Sequence, residues 1–218
     1  MLQAAMLRLG NINEEVKKGY EIIRKYHQTV TIFGSARTDE DNKYYKLAVE
    51  VSEKLGSEGY AIISGGGHGI MGAANQGAHI AARTGAKKSG AASIGFNIKL
   101  PFEQKINSYT TESLEFDHFA PRKIAMTLFA DAYIYFPGGF GTLDELTEIL
   151  TLIQTGKTTK TPIILVGSEF WGPFDEFVKN QLLATGQVSK GDENLYTITD
   201  DVDAIMSIVK SNTTYCKD

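Results

Sequence analysis

The chain has 218 residues, enough for one large domain or two small ones, and its 42% hydrophobic and 22% charged content is ordinary globular composition, which excludes disorder as the default. The formal net charge is −4 with Lys and Arg scattered, so no basic stripe marks a nucleic-acid partner. One cysteine, Cys216, is read as a spectator thiol near the C-terminus, and His27, His68, His79 and His118 lack ligand spacing, so neither a metal nor a cofactor is expected.

The N-terminus has no signal-peptide pattern and no apolar run reaches membrane-spanning length, so the expectation is a cytoplasmic protein with no membrane partner. In chain order, residues 11–27 read as a helix packed outside the fold, and 29–35 (TVTIFGS) as a buried strand. Residues 41–55 form a helix with Leu47, Val51 and Leu55 on one face. Residues 60–64 are a strand, 69–83 an alanine-rich helix, 92–98 and 113–119 two strands, and 122–130 a helix. Then come a strand at 132–136, a helix at 142–154, a strand at 162–167 and a helix at 170–183. The last part, 187–218, holds a strand at 196–199 and a helix at 202–209. Strand runs without alternation are buried on both faces, and a regular strand-then-helix order implies right-handed crossovers. The expected fold is α/β: one Rossmann-like domain over 1–218, a doubly wound parallel sheet of about seven strands flanked by helices. Ligands in such sheets bind beyond the C-terminal ends of the strands. The longest irregular stretch, 99–111, is a candidate binding element.

Two glycine-rich turns stand at strand-to-helix junctions. The first is Ser64-Gly65-Gly66-Gly67-His68-Gly69-Ile70-Met71-Gly72. Its glycines let backbone N–H groups face an anion, and the next helix adds its positive end. It contains GxGxxG, yet no Asp or Glu follows between Gly72 and Glu103, which argues against a dinucleotide site while keeping a phosphate cradle. The second is Pro137-Gly138-Gly139-Phe140-Gly141-Thr142-Leu143-Asp144-Glu145. Thr142 is placed to cap the helix, with Glu145 completing a capping box. The alternative for Glu145 is chemistry, because Asp144, Glu145 and Glu148 crowd the first turns. Leu143, Leu146, Leu150 and Ile153 share the apolar face, so the carboxylates are expected to project elsewhere. At Pro121-Arg122-Lys123, two cations in a first helical turn oppose the dipole. Either a solvated pair with Glu115 or Asp117, or a phosphate or buried carboxylate, answers them. The turn Phe33-Gly34-Ser35-Ala36-Arg37 is either a simple turn or part of the same anion site.

These pieces together resemble the LOG family, the "Lonely guy" cytokinin-activating proteins and their bacterial relatives, many of them labelled lysine decarboxylase-like. PGGFGTLDE matches the family motif PGGxGTxxE, and FGSAR, SGGGHGIMG and Arg122-Lys123 extend the match over about residues 30–183. Plant-type members carry Met-His, with one residue between, ahead of the Arg-Lys pair. Here the segment reads Phe119-Ala120-Pro121, and Leu100 to Gln104 with Asn107 looks like the longer bacterial branch.

The resemblance implies a Rossmann-like homodimer that hydrolyses the N-glycosidic bond of a nucleoside 5′-monophosphate, AMP or a cytokinin riboside 5′-monophosphate. It implies Arg122 and Glu145 as the catalytic pair. Gly138, Gly139, Gly141 and Thr142 would take the 5′-phosphate. Ser35, Gly65, Gly66, Gly67 and Gly69 would line the ribose and phosphate, and Lys123 would be an anion contact. No residue pattern marks a Schiff-base lysine, so the decarboxylase label has no support. The rival expectation is a carrier of a nucleotide or phosphorylated cofactor, since molybdenum-cofactor carriers resemble this fold. An Arg122–Glu145 pair separates the two readings, because a carrier has no need of it.

Overall fold

The structure, a computed structural model, describes residues 2–84, 91–100, 105–127 and 129–212. Cys216, Leu128 and residues 101–104 lie outside them. Seven strands, β1 (Thr29–Phe33), β2 (Ala61–Ser64), β3 (Ala92–Ile98), β4 (Glu112–Phe116), β5 (Ala132–Tyr135), β6 (Ile163–Leu165) and β7 (Thr197–Ile198), form one sheet in the order β4-β3-β2-β1-β5-β6-β7. Every neighbouring pair is parallel. Every residue of β1, β2, β3, β5 and β6 is buried, as unalternated apolar runs require, whereas the edge strand β4 alternates.

The helices are α1 (Leu2–Ile23), α2 (Lys43–Ser57), α3 (Ile70–Arg83), α4 (Phe119–Thr127), α5 (Phe140–Gln154), α6 (Ser168–Phe177) and α7 (Val202–Ser211). One sheet face packs Ile32, Ile62 and Ile134 on Val51 of α2, Ala74 of α3 and Val209 of α7. The other packs Ile63, Phe96 and Tyr135 on Met126 of α4, Leu146 of α5 and Trp171 of α6. Strand order reverses at β1, so a cleft opens where the chain leaves β1 and β5 in opposite directions.

Several boundaries differ from expectation. α1 begins at Leu2 rather than 11, and α4 at Phe119 rather than 122. The helix expected over 170–183 is α6, with Pro173 inside it, followed by a π-helical turn at Val178–Leu183. Met126 of α4 is 2% exposed in this chain's own core, and Phe129 packs edge-on against Tyr20 of α1.

α1 braces α4. Glu15 accepts from the His118 ring at 3.0 Å, and a Cβ on Gly19 would lie 2.6 Å from that of Ala125. Alanine at a helical glycine ordinarily gains about 1 kcal/mol of propensity. Here the sign reverses, because α1 must move off α4. Gly19→Ala is expected to destabilise by about 1–2 kcal/mol, the range of overpacking, read as a lower denaturant midpoint. A raised midpoint would show that α1 docks elsewhere.

Candidate active site

The cleft has a volume of about 600 Å³, within the usual range for small-molecule sites. Its walls come from the ends of β1 and β3, the first glycine turn, and the N-terminal turns of α4 and α5. Of the site residues expected from sequence, it gathers Ser35, Gly65, Arg122, Gly139, Gly141, Thr142 and Glu145. Gly34 and Arg37 of the turn after β1 line it too.

Arg122 and Glu145 meet on the cleft floor. They are 8% and 9% exposed, with Arg122 Nη1 3.7 Å from Glu145 Oε1. That is an ion-pair distance, too long for a hydrogen bond. Arg122 Nε donates to the Phe96 carbonyl at 2.7 Å, which fixes the guanidinium against β3. Gly65 makes room for it, since a Cβ there would lie 2.4 Å from Nη2. Burial pulls the Arg122 pKa down, and Glu145 partly restores it. Burial pushes the Glu145 carboxyl up to about 7, against the lowering pull of Arg122, with Asp144 and Glu148 adding to the rise and Lys123 opposing it. A buried carboxyl titrating near neutrality, facing a fixed cation in a cleft, is the arrangement expected of acid–base chemistry. The Tyr135 hydroxyl donates to the Glu145 carbonyl at 3.2 Å and ties this turn of α5 to β5.

The capping box is not formed. α5 starts at Phe140 with Gly139 at its N-cap and no side-chain cap, so Thr142 and Glu145 fall inside the helix. Its first N–H groups have no intrahelical partner and face the cleft, where an anion would find donors and the positive helix end. A Cβ on Gly138 would collide with the Thr142 side chain at 2.1 Å, whereas Gly139 and Gly141 have open space around theirs. Glu145 also departs from the expectation that all three carboxylates project away from the core. It is buried beside Leu146, while Asp144 and Glu148 turn outward.

Five expected contacts, Gly66, Gly67, Gly69, Lys123 and Gly138, do not line the cleft. The Gly66 N–H donates to Ser64 Oγ, and the Gly66 and Gly67 carbonyls accept from Asn107, so neither glycine lines the cleft. Gly69, at φ +63°, passes so near Ser35 that a Cβ would lie 2.3 Å from its carbonyl, and that carbonyl accepts from Ile70 N–H at the start of α3. The positive end expected from α3 is therefore partly closed, and α5 presents the open one. Lys123 lies 2.8 Å from both Asp144 and Glu148 rather than in the cleft. Burial lowers its pKa, but hydrogen bonds to these two carboxylates outweigh that and raise it. A Schiff-base lysine needs the opposite shift. Asp117 pairs with Lys99, so the partners of the Arg-Lys pair are the carboxylates of α5.

Asn107 is the residue that local pattern did not assign a role. It is buried, its backbone N–H donates to the Gly66 carbonyl at 2.8 Å, and its amide also reaches Asn75, which in turn holds Ser64 and Ser93. Asn107→Ala is expected to cost about 2–4 kcal/mol, since several buried polar groups lose a partner at once. Urea unfolding measures this, and a loss below about 1 kcal/mol, the level of an ordinary hydrogen bond, would show the network is dispensable.

A parallel sheet with a glycine-lined cleft at its switch point defines a Rossmann-like α/β protein. A family model described as "Possible lysine decarboxylase" matches residues 71–209. The cytokinin riboside 5′-monophosphate phosphoribohydrolase of Mycobacterium tuberculosis is 32% identical over 171 residues, covering 76% of this chain and 86% of that protein. The enzyme of the same name, LOG, from Oryza sativa subsp. japonica is 29% identical over 157 residues, covering 71% of this chain but only 62% of its own length. The chain belongs to the LOG family. Among solved structures, the molybdenum cofactor carrier protein of Chlamydomonas reinhardtii is similar with a TM-score of 0.60 at 20% identity, covering 87% of this chain and 99% of that one. The molybdenum cofactor binding protein of Rippkaea orientalis follows at 0.59 and 20%, covering 86% and 98%. At that identity the likeness speaks to the fold alone.

Proposed function

We propose that this chain hydrolyses the N-glycosidic bond of a nucleoside 5′-monophosphate, AMP or a cytokinin riboside 5′-monophosphate, to free base and ribose 5-phosphate. The observation that carries the reading is Glu145, a buried carboxyl titrating near 7, set beside Arg122 in the cleft. The uncapped start of α5 holds the 5′-phosphate through backbone N–H groups of Phe140, Gly141 and Thr142, with Arg37 and Ser35 across the cleft. The ribose then lies over Glu145. As the C1′–N bond breaks, its electron pair leaves with the base and positive charge builds on the sugar. The Glu145 carboxylate stabilises that charge and takes a proton from the water whose hydroxyl adds to C1′; the base takes up one proton from solvent, and Glu145 returns its own to solvent, so water is divided between the two products. Arg122 holds the carboxylate ionised and oriented.

The reading is tested by incubating the protein with AMP, and then with a cytokinin riboside 5′-monophosphate, and assaying base and ribose 5-phosphate. If both nucleotides bind and neither is cleaved, the protein is a carrier rather than a hydrolase. The reading includes a homodimer, with Ile124, exposed on the outer face of α4, as a contact. Light scattering should give twice the 23.9 kDa chain mass, and a monomer mass removes the dimer.

A further inference from the structure

Two large apolar side chains, Phe119 and Phe140, stand 57% and 93% exposed and line the same cleft. Neither belongs to the two packed clusters of the core. A ring left largely exposed on a cleft wall is available to whatever enters the cleft. Their positions differ. Phe140 opens α5 between Gly139 and Gly141, among the uncapped N–H groups. Phe119 opens α4, three residues before Arg122, and shares its part of the cleft wall with the apolar Ile98, Leu100 and Met126. β3, which supplies Ile98, and β5, which leads into α5, are separated by β2 and β1. Three strand spacings place these ends roughly 14 Å apart, a span suited to a nucleotide laid lengthwise. With the phosphate at α5 and C1′ beside Glu145, the base falls at the α4 end.

We propose that Phe119 is the platform on which the base stacks, and that it sets a preference for a two-ring purine over a one-ring pyrimidine. The inference rests on the phosphoribohydrolase reading above. An aromatic face accepts any base, but its contact grows with the overlapping area, so a purine gains more. The base remains stacked before, during and after cleavage. The contact therefore acts equally on ground and transition states, and it appears in KM and in inhibition by the free base rather than in kcat.

The test compares wild type, Phe119→Ala and Phe119→Tyr with AMP and CMP as substrates and adenine as inhibitor. Phe119→Ala should raise both KM for AMP and the inhibition constant of adenine about tenfold, as loss of a stacked base does, and narrow the AMP-over-CMP preference. Its kcat should stay within about twofold, as loss of uniform binding requires. Phe119→Tyr keeps the ring and should behave as wild type. Phe177→Ala, which removes an exposed ring outside the cleft, should change nothing. An unchanged adenine constant in Phe119→Ala, or equal losses in the Ala and Tyr variants, overturns the platform. If wild type cleaves neither nucleotide, the hydrolase reading fails and calorimetry with adenine decides. Tenfold weaker adenine binding by Phe119→Ala then upholds the platform, whereas equal binding, or none by wild type, overturns it.

Discussion

Glu145→Gln is expected to lower kcat for base release from AMP by about a thousandfold or more, roughly 4 kcal/mol of barrier, while the Kd for AMP changes only a few-fold. Glutamine keeps the shape of the side chain and the floor of the cleft but cannot carry charge or accept water's proton. The phosphate contacts at the start of α5 do not involve it, so binding survives. Single-turnover kinetics beside calorimetry separate the two quantities. A variant that retains even a tenth of wild-type kcat would move the chemistry to another group. In wild type, the ionised fraction of Glu145 rises as pH passes about 7, so kcat/KM should climb through that region. Stability should move the other way. The folded pKa lies above the unfolded one, so the contribution of Glu145 to stability is complete below the usual glutamate value of 4.5 and is lost as pH rises through about 7. Between pH 5 and 8 the wild type should lose about 2 kcal/mol relative to Glu145→Gln. Parallel stability curves for the two proteins would mean that the carboxyl titrates normally.

Arg122→Met is expected to lower kcat/KM at pH 7 by a hundredfold or more, the scale of one fixed electrostatic partner. It is also expected to move the acid limb of the pH profile to higher pH. The second effect follows from the balance at Glu145, where burial raises the pKa and Arg122 is the largest lowering influence. Without the guanidinium the carboxyl stays protonated further into the alkaline range, so part of the lost activity should return by pH 9. A loss of equal size at every pH would instead mean that Arg122 acts through contact with the substrate alone. Lysine is a poor substitute. The Arg122 side chain spans the Phe96 carbonyl and Glu145 with different nitrogens of one planar fork, which an ammonium cannot do.

The order of strands and helices, the parallel sheet and both glycine turns are legible in the sequence because each rests on local pattern: unbroken apolar runs, helical periodicity, glycine at junctions. The start of α5 is misleading for a physical reason. Thr142 and Glu145 have the spacing of a capping box, but Gly139 begins the helix without a side chain, and the capping pattern lands one turn inside. The burial of Glu145 is equally hidden, since it sits at the edge of the apolar stripe and turns inward toward a partner from α4, 23 positions earlier in the chain. The partners of Asn107 lie about 40 residues away, beyond the reach of any periodicity. Lys123, adjacent to Arg122 in sequence, points to different carboxylates because neighbours on a helix diverge by about 100°.

The second turn contains two kinds of glycine. At Gly138 a methyl group would strike Thr142, so the architecture itself forbids change. At Gly139 and Gly141 a methyl group would meet no other part of the chain. On the proposed function, the constraint on those two positions comes from outside the polypeptide, from the phosphate that would approach the helix end. A lineage that abandoned that molecule would be free to decorate Gly139 and Gly141 first, while Gly138 stayed fixed. On that reading the two sites would serve as a record of occupancy, and substitutions appearing at them in a descendant would mark a change of guest before any change of fold.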